Sequence, residues 1–161
     1  MDFRNIKIIR TATFAERIGA CYVRIQAMAV KHHISLEKEF DEYDTPETKY
    51  IIAVDDVLPV ATCRLLPADK ESMTVGRIVV LPEYRHHGLG TRMVAEAEGW
   101  SAELGYHKVV LESRVNKLAF YEKLGYIVRT GKVIHGDTFD CILMEKELKV
   151  EKGKSVFARE K

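Results

Sequence analysis

Apolar positions along the chain alternate between helical spacing and short runs of β-forming residues. They recur every three or four positions over residues 14–28 and again over residues 89–104, which predicts two long helices. A shorter helix is predicted over residues 116–124, and an acidic helix or turn over residues 35–43. Runs rich in β-formers predict seven strands, over residues 6–10, 50–54, 60–65, 74–81, 108–113, 126–129 and 138–144.

The predicted elements follow the order β-α-α-β-β-β-α-β-α-β-β. The second and third strands are separated only by a short turn at Asp55-Asp56, which indicates a hairpin. No helix is predicted between the third and fourth strands. A chain that mixes hairpins with helix-linked strands favours an α+β fold with one mixed sheet over a doubly wound parallel sheet.

Size and composition fit one globular domain. The chain has 161 residues, of which 47% are hydrophobic and 30% charged, and this excludes a disordered or fibrous protein. Its 25 basic and 24 acidic residues give a net charge of +1, whereas a protein that grips nucleic acid or an anionic membrane needs a basic surplus. No apolar run approaches the ~20 residues of a membrane span. We therefore expect neither a nucleic-acid nor a membrane partner.

The cysteines and the chain ends suggest a reducing compartment. Cys21, Cys63 and Cys141 are odd in number, far apart and without CxxC spacing, so neither a disulfide framework nor a zinc site is expected. No other metal site is expected, and no signal peptide is visible, which favours the cytoplasm. We expect one domain over residues 1–148 and a charged tail over residues 149–161.

One loop carries the pattern of an anion site. A predicted strand ends at Pro82, a loop with Gly88 and Gly90 follows, and a long helix begins there. The first N–H groups of a helix have no internal acceptor, and the helix dipole adds positive charge at that end. Glycines allow the backbone to approach a phosphate closely.

Two common phosphate loops do not fit this segment. A P-loop needs a lysine directly after its last glycine, and Thr91 stands there instead. A dinucleotide-binding loop needs a third glycine, and Met93 occupies that position. A plain turn before a helix is the remaining structural alternative.

The loop reads Arg85-His-His-Gly88-Leu-Gly90, and a downstream motif reads Asn116-Lys-Leu-Ala-Phe-Tyr121-Glu-Lys-Leu-Gly125-Tyr126. The first resembles the signature R/Q-x-x-G-x-G/A of the GNAT family of N-acetyltransferases. The second is similar to that family's motif N-x-x-A-x-x-x-Y-x-x-x-G-F/Y, except that Tyr121 directly follows the phenylalanine. The strand order over residues 6–148 also resembles the family's, and residues 33–44 resemble its ElaA/YjcF-like branch.

The resemblance implies a fold and a cosubstrate. The fold would be a single α+β domain, with a mixed, mostly antiparallel sheet of six or seven strands, about four helices and splayed central strands. The cosubstrate would be acetyl-CoA. The residues that would bind it are Ile78, Val79, Val80, Arg85, His86, His87, Gly88, Leu89, Gly90, Thr91, Asn116 and Tyr121.

Several of these roles have alternatives. The strand segment 78–80 would pair with the pantetheine arm like an added strand, and the backbone of residues 85–91 would hold the pyrophosphate. The Arg85 side chain could instead brace the loop, and the adjacent histidines could contribute imidazolium charge or backbone alone. Asn116 could reach the pantetheine, or it could cap the helix over 117–124.

The resemblance also implies direct transfer of acetyl to a primary amine of a small molecule or peptide. The Val80 N–H would stabilise the oxyanion, and Tyr121 would protonate the leaving thiolate. Thr74 stands where histone-type members have a glutamate base. Glu112, a carboxylate within residues 37–44, or a water chain would have to replace it. A homodimer is common in the family, but no interface is visible in this sequence.

The acceptor side and the activity itself leave alternatives open. The acidic run over residues 37–44 could attract a cationic amine, or it could be a solvated helix face. Arg64 or Arg77 could bind an acidic group of the acceptor, although a strand arginine is usually paired or solvated. A non-catalytic module that senses CoA or an acyl-CoA is the alternative to an enzyme.

Overall fold

The computed structural model describes residues 2–149, so the charged tail predicted over residues 149–161 lies almost wholly outside the described residues. The helices and strands, in chain order, are β1 (Lys7–Arg10), α1 (Phe14–Arg24), α2 (Leu36–Glu39), β2 (Lys49–Asp55), β3 (Leu58–Pro67), β4 (Ser72–Val80), α3 (Leu89–Glu103), β5 (Lys108–Arg114), α4 (Leu118–Lys123), β6 (Ile127–His135) and β7 (Asp140–Glu147).

The strands form one mixed sheet with the order β1-β2-β3-β4-β5-β7-β6. β4 and β5 run parallel, whereas the pairs β1–β2, β2–β3, β5–β7 and β6–β7 are antiparallel. The predicted α+β fold and the predicted order of elements are therefore confirmed. β6 is longer than the predicted strand over residues 126–129, and it begins one residue after Tyr126.

The chain divides into two compact units, which are described separately. The first comprises the residues up to Leu66 together with Arg77–Ala97, and the second comprises Pro67–Gly76 together with the residues from Glu98 onward. β4 therefore contributes its N-terminal part to the second unit and its last four residues to the first.

In the first unit, helix α1 packs closely on the sheet. A Cβ on Gly19 would lie 3.0 Å from Cγ of Pro59, so a larger residue here would force Pro59 to shift by a few tenths of an ångström. The buried positions of the helix include Ala20 and Val23, whereas Phe14 and Ile18 are 78% and 50% exposed. The apolar periodicity thus predicted the helix correctly but included side chains that face solvent.

Helix α1 continues directly into a π-helical turn over Ile25–Val30. Arg24, at the junction, is fully buried, and so is Ala27 in the π turn. The side of α1 that is buried in the first unit therefore stays buried through the π turn.

The start of α1 is fixed by a capping box. The Thr13 hydroxyl accepts from the Glu16 N–H at 3.2 Å, and the Glu16 carboxylate accepts from the Thr13 N–H at 3.1 Å. Each group satisfies a backbone donor that the helix cannot satisfy.

We expect Thr13→Ala to lower the free energy of unfolding by about 1 kcal/mol, because it leaves the Glu16 amide without its acceptor. Urea denaturation followed by circular dichroism measures the change. Thr138→Ala, which alters an exposed threonine outside helices and strands, is the matched control and should have no effect. Equal midpoints for Thr13→Ala and wild type would contradict a stabilising cap.

In the second unit, β4 and β5 pair through Ser72–Thr74 and Lys108–Val110. The ladder ends at Thr74, as the predicted splay of the central strands requires. Glu98 of α3 accepts from the Tyr126 hydroxyl at 3.0 Å and from Lys146 Nζ at 3.1 Å, which ties the end of α3 to this unit. Across residues 2–149, no helix has both the length and the apolar character needed to cross a membrane.

Candidate active site

The loop between β4 and α3 is held at its start by backbone contacts. The Leu81 N–H donates to the Val60 carbonyl at 2.9 Å, and Pro82 opens a short 3-10 turn that ends at Tyr84. Tyr84 is buried, and its hydroxyl donates to Asp55 at 2.7 Å. The chain therefore leaves β4 along a fixed path.

The Arg85 side chain turns back along this path. Its Nε donates to the Val80 carbonyl at 2.9 Å. This contact closes the loop on the last residue of β4, which favours the bracing alternative for Arg85. The guanidinium thereby fixes the peptide plane that follows Val80.

His86 and His87 follow Arg85 in the loop. His86 has a positive φ of 65°, and the ring of His87 stacks on Phe3 with centroids 3.9 Å apart and planes 15° from parallel. Stacking on Phe3 engages the His87 ring, so this geometry favours a backbone contribution from His87. Phe3 belongs to a short 3-10 helix, and nothing in the sequence motif indicated its contact with this loop.

Gly88 provides the turn into helix α3. Its φ is +79°, which side-chain-bearing residues rarely adopt, and the space where a Cβ would stand is open. The Gly88 carbonyl accepts from Arg92 N at 3.1 Å, so the amides of Leu89, Gly90 and Thr91 precede the first bond of the helix and have no acceptor within it. These donors and the helix dipole suit a phosphate.

In the second unit, Tyr121 and Tyr126 form an aromatic pair with ring centroids 5.9 Å apart. Tyr126 is 2% exposed and donates its hydroxyl to Glu98, so it is a packed core residue. Tyr121 lies on α4 and is 8% exposed. It remains the candidate acid.

Asn116 does not cap α4, so the capping alternative is wrong. A 3-10 turn over Val115–Lys117 occupies this segment, and α4 begins two residues later than predicted, with Lys117 as its N-terminal cap residue. The turn leaves Asn116 exposed. Its predicted role toward the pantetheine stays a prediction.

Glu112 is exposed on β5, opposite Leu143 of β7. It makes no hydrogen bond or ion pair within residues 2–149, so its carboxylate is available to accept a proton. Together with burial, which is the larger cause, its charge raises the pKa of the Cys141 thiol. Glu112 stays a candidate base.

Comparison with known proteins now decides the family. Residues 15–126 match the sequence model of the Acetyltransferase (GNAT) family. The chain belongs to this family. The uncharacterized protein YyaT of Bacillus subtilis (strain 168) is 31% identical over 146 residues, which cover 89% of this chain and 96% of YyaT.

Solved structures agree with the family. A Lactobacillus plantarum protein, classed provisionally as an N-acetyltransferase, is 31% identical with a TM-score of 0.84, over 89% of this chain and 99% of that one. A GNAT family acetyltransferase from Elizabethkingia anophelis with acetyl-CoA bound shares the fold, at 20% identity and a TM-score of 0.63, over 89% and 99% of the two chains. The chain whose fold is described above uses acetyl-CoA as its cosubstrate, as predicted. Its place in the ElaA/YjcF-like branch stays a prediction.

The acidic run of this acetyltransferase is neither a free acidic wall nor a solvated helix face. Three of its five carboxylates bind three arginines in the first unit, and we call this set the arginine network. Its members are Arg24, Arg64, Arg77, Glu39, Asp41 and Asp44. Of the five carboxylates in this run, only those of Glu37 and Glu42 belong to exposed residues.

Arg24 lies at the centre of the arginine network, with a side chain that is 0% exposed. It donates to the Glu39 carboxylate at 3.1 Å, to the Glu39 carbonyl at 2.7 Å and to Asp44 at 2.6 Å. Arg64 makes a bidentate pair with Asp41 at 2.8 and 3.1 Å. Both terminal nitrogens of Arg64 are bound by Asp41, whereas its buried Nε has no hydrogen-bond partner among residues 2–149, so the structure favours the paired alternative for Arg64.

The pairing also disfavours Asp44 and Asp41 as bases. Burial opposes ionisation of Asp44, but hydrogen bonds from Arg24 and Tyr50 outweigh it and hold the pKa of that carboxyl well below its usual range. Asp41 has a lowered pKa as well, because Arg64 outweighs the effect of burial. Carboxylates held in this way are poor proton acceptors.

We expect the Asp44 ion pairs to make stability acid-sensitive. A folded-state pKa below the unfolded value stabilises the protein above the unfolded pKa of roughly 4, and this stabilisation is lost as the pH falls below it. At pH 3, about one pH unit below the unfolded pKa, the loss should be about 1 kcal/mol. Urea midpoints measured from pH 7 to pH 3 should fall more steeply for wild type than for Asp44→Asn. Parallel profiles would contradict the assignment.

Residues 2–149 give little support for metal binding or thiol chemistry. Among residues 2–149, no three histidine, cysteine or acidic side chains are grouped closely enough to hold a metal ion. Burial raises the pKa of the Cys63 thiol to about 12, which makes it inert.

A groove of about 590 Å³ lies in the second unit near the N-terminal ends of β4 and β5. Two of its basic residues are held by carboxylates: Lys108 lies 3.3 Å from Glu147, and Arg129 lies 3.5 Å from Glu145. It has no glycine loop and no free helix N-terminus, so its size does not make it the site of acetyl transfer.

Proposed function

We propose that this protein transfers the acetyl group of acetyl-CoA directly to a primary amine of a small molecule or peptide. One observation carries the proposal. The loop from Val80 to Arg92 is braced by Arg85, turns through a left-handed Gly88 and presents the first amides of α3. This set of donors fits the pyrophosphate of a coenzyme A.

Binding would use backbone groups for the most part. The amides of Leu89, Gly90 and Thr91 would hold the pyrophosphate, because they precede the first hydrogen bond within α3. Leu89 is buried, so it can contribute only its backbone. The segment Ile78–Val80 would supply strand-like hydrogen bonds to the pantetheine arm. Acetyl-CoA supplies the acetyl group as a thioester.

Val80 is the proposed donor to the thioester oxygen. Its N–H belongs to the peptide unit that precedes Val80, and the adjoining unit after Val80 is fixed on both sides, by Arg85 at the Val80 carbonyl and by Val60 at the Leu81 amide. A donor on a fixed backbone needs no reorganisation when negative charge develops on the oxygen, and this is how preorganised amides lower a barrier.

Tyr121 is the proposed general acid. A phenol with a pKa of about 10 can protonate a thiolate whose conjugate thiol has a pKa of roughly 8.5. For the amine proton we propose water together with Glu112, since the carboxylates of the arginine network are held by guanidinium groups and Thr74 cannot act as a base.

Calorimetry followed by an amine panel tests this function. Acetyl-CoA and CoA are titrated into the protein, and thiol release is then followed with alkyl amines, polyamines, amino acids, aminosugars and peptides. Binding with amine-dependent thiol release, and an acetylated amine by mass spectrometry, would support the proposal. Binding without release from any amine would favour the CoA-sensing alternative, and absence of binding would overturn the assignment of the loop.

A further inference from the structure

Arg77 has an unusual backbone for a residue inside a strand. Its φ is +47°, and it directly precedes the Ile78–Val80 segment. Three other non-glycine residues among positions 2–149 have a positive φ, and all three, His33, Asp56 and His86, lie in turns or loops. Side-chain-bearing residues adopt this conformation only where their surroundings enforce it.

The Arg77 side chain is anchored at the edge of the arginine network. Its Nη2 donates to Asp41 and to the Glu39 carbonyl, both at 3.3 Å, and its Nε donates to the same carbonyl at 3.4 Å. These acceptors belong to the last residue of α2 and to the segment that follows it, so the guanidinium links the end of α2 to β4 within the first unit.

The groups that hold Arg77 are themselves held. Asp41 is bound by Arg64 through two hydrogen bonds, and Glu39 is bound by the fully buried Arg24 through both its carboxylate and its carbonyl. Moving any one of them would leave a buried charge without its partner, which is strongly unfavourable. The anchor of Arg77 is therefore stiff, although its own contacts are longer than those of Arg24 and Arg64.

We infer that Arg77 is a positioning residue for the cosubstrate. Its anchored side chain holds the left-handed backbone at residue 77, and this backbone sets the direction in which the amides and carbonyls of Ile78–Val80 are presented. The inference rests on the proposed function, because it assigns the orientation of that strand segment to acetyl-CoA binding. A glycine at this position could adopt the same φ without strain and so without the anchor.

Arg77→Ala and Arg77→Gly separate this role from a purely structural one. Both variants remove the guanidinium and leave the same carboxylate without it, so both should lose similar thermal stability. Alanine resists the positive φ and glycine does not. We therefore expect the acetyl-CoA Kd to rise at least about tenfold in Arg77→Ala and to stay within about threefold of wild type in Arg77→Gly. Arg77→Lys, which can still reach Asp41, should fall between the two.

A double-mutant cycle tests the contact between Arg77 and Asp41 directly. It remains informative if Arg77→Ala does not fold. Asp41→Asn should weaken acetyl-CoA binding in wild type but have no further effect in the Arg77→Gly background. Glu96→Gln is the control, since it breaks a 2.7 Å ion pair with Arg10 in the same unit and should leave the Kd unchanged.

The outcomes distinguish this inference from the proposed function. Equal Kd values for Arg77→Ala and Arg77→Gly, or an Asp41→Asn effect that persists in Arg77→Gly, would overturn the positioning role while leaving the acetyl-CoA site intact. Wild-type protein that does not bind acetyl-CoA would overturn both.

Discussion

Gly88→Val is expected to lower the affinity for CoA at least about 100-fold. The valine cannot adopt the φ of +79° without strain, so the loop must move and carry the first amides of α3 away from the phosphate. The open space around Gly88 means that the folded protein itself has room for the side chain. The loss should therefore appear in CoA binding by calorimetry far more than in the melting temperature.

Two further glycine variants are the comparisons for the Gly88→Val experiment. Gly131→Val, in β6, also enters open space but does not have a positive φ, so it should leave CoA affinity unchanged. Gly90 lies in the first turn of α3 without a positive φ, so a loss of CoA affinity in Gly90→Val would come from the added side chain and not from backbone strain. Wild-type affinity in Gly88→Val would contradict the phosphate-binding role of the loop.

Tyr121→Phe is expected to lower kcat at least about tenfold while the Kd for CoA stays within a few-fold of wild type. The change removes the proton that Tyr121 would give to the leaving thiolate and leaves the ring packed against Tyr126. Steady-state kinetics with the best amine of the panel measures kcat, and calorimetry measures the Kd.

Tyr126→Phe is the matched control for this experiment. It also removes a phenol from a buried tyrosine of the same unit, but that hydroxyl is engaged by Glu98. We expect a loss of about 1 kcal/mol in stability and an unchanged kcat. A wild-type kcat in an active Tyr121→Phe enzyme would rule out Tyr121 as the acid.

The parts of the site that the sequence predicted are those built from neighbouring residues. The anion loop follows from a strand end, a left-handed glycine and a helix start, and all of these lie between Pro82 and Gly90. The order of strands and helices was predictable for the same reason, since periodicity and turn residues act over a few positions.

The parts that the sequence did not predict depend on distant partners or on competition between similar local structures. Arg24 pairs with residues 15 and 20 positions away, and Arg77 with residues 36 and 38 positions away, so the acidic run alone could not show that it is neutralised. Asn116 suits a helix cap as well as a 3-10 turn, and local pattern could not decide between them. Phe14 was counted among the apolar positions of the predicted helix, but its side chain faces solvent.

The π turn after α1 has a consequence for how this chain aligns with its relatives. Each π-type hydrogen bond spans one residue more than an α-helical one, so the segment Ile25–Val30 holds an extra residue without forming a loop. Relatives with an uninterrupted α-helix here should be one residue shorter, and their alignment gap should fall inside a helix. That gap would mark an insertion event in the ancestry of this chain.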